Sequence, residues 1–339
     1  MAWLNRLFRR GETHSQPLRA EPANGLVSFD GATLDRSEGA HVRENIAHPD
    51  FERAREWGAA FPSEHQSDAW RAVQRAWVAW LAAQYGGAYR VHESEHALLM
   101  SAQTPKLANT ALSYLSLTMR RVSRSLGRLA LPQPETQVVL LLHDHDDYYR
   151  YLSGLYPDDG EFAMSSGVHF SGPAPHFAVN GEDLTSIEAT LVHEMTHAYL
   201  THLPIPAWLN EGLAVNMEMT FGRVADARHL LALQKKHRKY WTPENIQEFW
   251  CGRSYQRPDE GHELSYDLGR LLVAGMSEDW GRFEAFALAA MVDDAGAAAA
   301  AEHLEIDLGE FVRHFLERDD GEWAPDPKHW AISPERWPF

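Results

Sequence analysis

The chain has 339 residues, 44% hydrophobic and 23% charged, with a formal net charge of −17 and a single cysteine, Cys251. Such a composition suits a globular chain of two or three packed lobes and excludes fibrous and disordered classes. The acidic balance argues against a nucleic-acid partner, because phosphates repel it. One cysteine excludes an intrachain disulfide and a Cys-based zinc knuckle, so a metal would have to be held by carboxylates and by some of the 19 His.

Residues 1–40 are rich in Gly, Pro, Ser and charge and read as loosely ordered. The opening "MAWLNRLFRR" is basic and amphipathic but has no signal-peptide core or cleavage site, and reads as a short docking helix. No 18 apolar residues run together, so no integral membrane segment is expected and a cytoplasmic location is. From Phe51 to Tyr85 apolar residues recur at helical spacing, with Trp70, Val73, Trp77 and Trp80 near one face as a core stripe. Gly86 and Gly87 then break the helix.

"AYRVHES" and "HALLMSA" read as a strand pair, followed by a helix from Lys106 to Leu129. "QVVLLLH" is a buried strand, "DDYYRYLSGLY" a helix, and "GVHFSGPAPHFAVNG" two short strands around a turn. "HDHDD" at 143–147 lacks helical ligand spacing and reads as a polar loop rather than a second metal site. From Leu184 the pattern is helical: 186–203, 206–220, 224–239, 265–277, 281–292 and 308–317. Strands in the first half and helices in the second predict an α+β fold. The expected divisions are an irregular and helical extension at 1–85, an α/β lobe with edge strands at 86–183, a helical lobe at 184–320 and a surface tail at 321–339.

H-E-x-x-H occurs twice, as "HESEH" at 92–96 and "HEMTH" at 193–197. On a helix, residues i and i+4 lie about 6 Å apart on one face and can share an ion. In a strand the same spacing is about 13 Å and cannot. "HESEH" has strand-like flanks and no Asp, Glu or His between Ala97 and Pro134, so it reads as a solvated turn. "HEMTH" has Thr185 and Glu188 as a capping-box pair ahead of it and a stripe of Ile187, Leu191, Met195 and Ala198. "LPIPAWLNEGLAV" follows, with Pro206 suited to a helix start. An antiparallel return of that second helix brings Glu211 back level with His193 and His197.

"HEMTHAYL" followed by "PAWLNEGLAV" resembles the gluzincin zinc metallopeptidases, in particular the peptidase MA-like families of the thermolysin clan. The resemblance is strongest across 185–220; residues 1–85 and the tail lie outside it. It implies a zincin-like fold, in which a small mixed β-sheet lobe packs on a mainly helical half carrying the HExxH helix. It implies His193, His197 and Glu211 as ligands of one Zn2+ per chain and Glu194 as general base. Tyr266, or alternatively His262, is the candidate donor to the anionic intermediate. Peptide hydrolysis through a Glu-activated zinc-bound water is the implied reaction, with a peptide or protein as substrate. The alternative is a zinc-binding, non-proteolytic member serving as a binding module or acting on a non-peptide bond. A bland reading of Tyr266 is a half-buried ring packed under Leu271. Thermolysin-like enzymes place a carboxylate behind a ligand His four residues past the ligand Glu; here that position is Val215, which leaves Asn216 or Glu218 for the task. The strand "HFAVNG" is expected to pair with an extended peptide.

Overall fold

The computed structural model describes residues 25–131, 136–155, 166–181, 184–221 and 227–330. The architecture is α+β, mainly helical with small sheets. It divides into two compact units, Met1–Met119 with Gln133–Ile187, and Arg120–Pro132 with Glu188–Phe339.

The first unit departs from expectation at its start. Instead of loose chain, residues from 25 onward form two antiparallel hairpins, β1 (Leu26–Phe29) with β2 (Ala32–Asp35) and β3 (His41–Arg43) with β4 (Ile46–His48). Each turns through two residues of positive φ, Asp30 (46°) and Gly31 (80°) in the first, Glu44 (47°) and Asn45 (59°) in the second. That is the twist two-residue hairpins require. The docking helix expected at the N-terminus lies outside the described residues. The periodic stretch after Phe51 is two helices, α1 (Phe51–Ala59) and α2 (Ser63–Gln84), because Pro62 cannot continue the first. Trp70, Val73 and Trp77 are buried on α2.

A five-stranded sheet follows, with β5 (Arg90–Glu93), β6 (Ala97–Ser101), β7 (Gln137–Leu142), β8 (Gly167–Phe170) and β9 (His176–Asn180) in the order β5-β6-β7-β9-β8. Strands β6, β7 and β9 are parallel, and α3 (Pro105–Leu126) and α4 (His145–Ser153) supply the crossovers that parallel pairing demands. Strand β9, the "HFAVNG" segment, is therefore interior, paired with β7 on one side and β8 on the other. The expectation that it pairs with a peptide fails, since its backbone groups are taken. Arg71 and Arg75 of α2 both close on Glu93 and fasten helix to strand. In "HDHDD", Asp144 caps α4 by accepting from the Asp146 N–H at 2.7 Å, and Asp147 accepts from the Tyr89 hydroxyl at 2.9 Å. Those carboxylates are structural.

The second unit contains α5 (Leu184–Leu200) from Glu188 onward, then α6 (Ala207–Phe221), α7 (Ala227–Tyr240), α8 (Ile246–Trp250), α9 (Glu260–Met276), α10 (Trp280–Ala289) and α11 (Leu308–Phe315). Its core is aromatic, with Trp208, Trp241, Trp250, Phe249, Phe283 and Phe286 fully buried. Helices α6 and α9 cross at glycines: a Cβ on Gly212 would sit 2.5 Å from the Gly269 carbonyl oxygen. The segment after Glu322 does not simply lie on the surface, because Trp323 and Trp330 are buried in this core. Gln247 of α8 holds it, accepting from Asp326 N and Trp330 Nε1 and donating to the Ala324 carbonyl at 2.8 Å. No described helix is long and apolar enough to cross a membrane.

Candidate metal centre

Helix α5 presents His193 and His197 one turn apart, their ring centroids 4.7 Å from each other at 79°. Leu191, Val192, Met195 and Thr196 are buried on the same helix, which sets its rotation. The side chain of Thr185, half of the expected capping box, lies outside the described residues. The helix stops at Leu200 rather than 203, because a residue before proline avoids helical geometry and Leu203 precedes Pro204. The chain then passes through Thr201–Pro206, and the Pro206 carbonyl accepts from Leu209 N and Asn210 N to open α6. Glu211 arrives in the second turn of α6, 2% exposed. The close contact of Gly212 with Gly269 fixes how deep that carboxylate sits.

The structure brings the three sequence-predicted ligands together. His193, His197 and Glu211 form the one three-residue group among the described residues able to hold a metal ion, each offering an atom within 4.8 Å of the others. Glu211 Oε2 lies 3.3 Å from His193 Nε2 and 3.5 Å from His197 Nε2. Metal–ligand bonds of about 2.0–2.1 Å in tetrahedral array place neighbouring donor atoms roughly 3.3–3.5 Å apart, so these separations match two tetrahedral edges. Oε2 is buried and among the described residues has no hydrogen-bond partner, a costly arrangement that a cation between the three atoms relieves. The donor set of two imidazoles and a carboxylate suits a borderline cation such as Zn2+.

Electrostatics agree. Burial pushes the Glu211 carboxyl up, but the charge of His197 and the contacts with both rings outweigh it and bring it down to about 2. Burial likewise works against charge on His193, yet its contacts with Glu211 and Glu218 and the charge of Glu194 lift it to about 10. The centre draws positive charge, and a metal would displace the protons held there.

Each imidazole also has a partner behind it. His197 Nδ1 lies 3.0 Å from Asn210 Oδ1, and His193 Nδ1 lies 3.4 Å from Glu218 Oε2. A ring that donates from Nδ1 keeps its Nε2 lone pair for a metal. Asn216 does not serve here; its amide donates to the carbonyls of Gly212 and Arg270 and ties α6 to α9. Asn210 escaped the sequence reading, although adjacency to Glu211 in the same helical turn was the available signal.

Glu194 is 9% exposed, and its charge acts on both His193 and His197. Tyr266 lies two turns into α9, not at its start, because the helix begins at Glu260 under an Asp259 cap. Its ring centroid is 6.4 Å from that of His193 and packs edge-on against Tyr255 and His262. Burial and the charges of Glu211 and Glu194 hold its phenol well above the usual range, so it stays protonated and able to donate. His262 Nδ1 donates to the Tyr255 carbonyl at 2.6 Å, leaving Nε2 for another partner.

"HESEH" contributes no residue to this group. His96 is in an exposed turn as expected, but His92 is on β5 and fully buried, contrary to the solvated-turn reading. Its place opposite Leu99 on the neighbouring strand explains the burial. No family model matches the chain, and no curated protein matches it either.

Proposed function

We propose that the chain is a zinc metallopeptidase of the gluzincin, peptidase MA-like type, with a zincin-like fold. The observation that carries this reading is the single buried oxygen of Glu211 held 3.3 and 3.5 Å from the two Nε2 atoms of an H-E-x-x-H helix. His193, His197 and Glu211 would hold one Zn2+. Zinc so held supplies Lewis acidity, lowering the pKa of water to about 7 and polarising a carbonyl.

The remaining work falls to the chain's own residues. Glu194 follows His193 directly and is outside the ligand group, and its carboxylate would take a proton from water and return it to a leaving amine. Tyr266 supplies an O–H to the carbonyl oxygen as negative charge grows on it. His262 is the alternative donor, which would require its ring to carry a proton on Nε2 as well as the one on Nδ1. Asn210 and Glu218 orient the imidazoles. The substrate class is a peptide or protein.

The test is elemental analysis joined to a chelator-sensitive peptidase assay on wild type, Glu194→Gln and Glu211→Ala. We expect one zinc per chain in wild type and Glu194→Gln, most of it lost in Glu211→Ala, and hydrolysis by Glu194→Gln reduced on the order of 10²- to 10⁴-fold. Zinc-loaded wild type that cleaves no peptide would favour a binding module on the same metal site; zinc intact in Glu211→Ala would remove the ligand assignment.

A further inference from the structure

Helix α7 turns a histidine into the core of the second unit. His237 is fully buried, between Trp241 just past the end of α7 and Asp267 of α9. Trp241 Nε1, which can only donate, donates to His237 Nδ1 at 2.9 Å. The ring's own proton is therefore on Nε2, which lies 3.0 Å from Asp267 Oδ2. The other oxygen of that carboxylate accepts from Arg270 Nε at 2.8 Å and lies 2.7 Å from Nη2. Phe315 packs edge-on against the imidazole. Every ring and carboxylate atom of this pair that can bond is thus committed to one direction.

Asp267 directly follows Tyr266, about 100° further around α9. While Asp267 meets α7, the Tyr266 ring stands with its centroid 6.4 Å from that of His193. Against α6, helix α9 rests on glycine: Gly212 and Gly269 meet backbone to backbone. Such a contact sets how near the helices come but has no side-chain ridge to stop one rolling on the other. Asn216 and Tyr255 tie α9 at the carbonyls of Arg270 and Ser265, close to its axis, where a bond has little leverage against roll. Asp267 acts from the end of a side chain. A phenol hydroxyl stands roughly 8 Å from the axis of its helix, so a roll of about 10° moves it by about 1.4 Å. A displacement of about 1 Å can cost on the order of 100-fold in rate.

We infer that His237 and Asp267 are a positioning pair, whose hydrogen bond sets the roll of α9 and so aims the Tyr266 hydroxyl at the oxygen on which charge develops. The inference rests on the peptidase reading above. Apolar groups of similar volume often replace a buried ionic pair at no loss of stability. What the pair adds is a fixed direction, and Tyr266 is the neighbour that needs one.

The experiment places His237→Leu in wild type and in Tyr266→Phe, and measures kcat, KM, zinc content and affinity for a phosphonate transition-state mimic. In wild type we expect kcat about 10- to 100-fold lower, KM within about threefold and one zinc per chain. Phosphonate binding should weaken by a like factor. In Tyr266→Phe the same substitution should change kcat and phosphonate affinity by no more than about twofold, because the group it aims is gone. Should the single variant not fold, the joint variant His237→Leu, Asp267→Leu leaves no lone carboxylate buried and carries the same measurement. Equal losses in both backgrounds would overturn the inference, as would an unchanged kcat, a loss of zinc, or failure of both variants to fold. Zinc-loaded wild type that cleaves no peptide would instead overturn the peptidase reading, and this inference with it.

Discussion

Tyr266 and His262 sit one turn apart on α9, their ring centroids 5.0 Å from each other, yet they are prepared for different tasks. The phenol is kept protonated by burial and by the carboxylates of Glu211 and Glu194. The imidazole has one nitrogen committed to the Tyr255 carbonyl, which fixes its tautomer. A donor needed only as charge develops should be the group that cannot ionise. On the proposed peptidase reading, Tyr266→Phe should keep zinc and lower kcat by about 10- to 1000-fold with little change in KM. The same variant should bind a phosphonate transition-state mimic more weakly while holding a ground-state peptide as before. Steady-state kinetics decide it: wild-type kcat in Tyr266→Phe, with His262→Ala crippled, moves the donor role to His262.

At the scale of elements, the crossing of α6 and α9 governs the position of Glu211. A methyl group on Gly212 would press on the Gly269 backbone, which cannot swing aside as a side chain can. Gly212→Ala should cost roughly 1–3 kcal/mol through overpacking and weaken zinc binding by shifting the adjacent carboxylate. Gly58, near the end of α1, has nothing within 4 Å of its would-be Cβ, so Gly58→Ala should be neutral or stabilising by up to about 1 kcal/mol. Urea unfolding of both variants tests the contrast; equal effects would mean the glycine contact does not set the helix spacing.

Much at this scale was legible in the sequence. The HExxH helix, the returning helix with Glu211, the β5–β6 pair and the helical second half all follow from local periodicity. What was not legible depended on distant partners. Strand order put β9 inside the sheet, and no local pattern records order. Hairpins of three- and four-residue strands are too short to show alternation, although Asp30-Gly31 was a turn signal in plain view. Periodicity alone carries helix α5 three residues too far, because it does not register the effect of Pro204 on Leu203.

For the molecule as a whole, buried histidines in the first unit set its behaviour in acid. Burial brings His48 and His176 down from 6.5 to about 4; the charges of His41 and Arg43 add to this for His48, while for His176 the Ala174 carbonyl resists it and the charge of His48 adds to it. In neutral His176, Nδ1 donates to Ala174 at 2.7 Å and Nε2 accepts from the Tyr151 hydroxyl at 2.7 Å. A folded pKa below the unfolded one gives stability that is complete above 6.5 and lost as pH falls toward 4. Each shift corresponds to something on the order of 3 kcal/mol, shared in part because the rings repel each other. Glu93 and Asp267, also lowered, lose their contributions only below the usual carboxylate range. Thermal midpoints measured from pH 7 to 4 should fall steeply below 6.5 in wild type and less so in the double variant His48→Gln, His176→Gln. An identical fall in both would assign acid sensitivity to other groups.

The division of the chain has its own consequence. Residues 120–132 belong with the second unit although the first resumes after them, and both α3 and α5 run across unit borders. Three cuts would be needed to separate the units, and two of them would sever helices. The segment bearing His193, His197 and Glu211 is thus not a transplantable cassette: grafted or expressed as 188–339 alone, it would lack Val122, Leu126 and Leu129 of its own core. Inheritance and engineering alike must take this candidate metal centre together with a piece of chain that precedes it by about half the sheet.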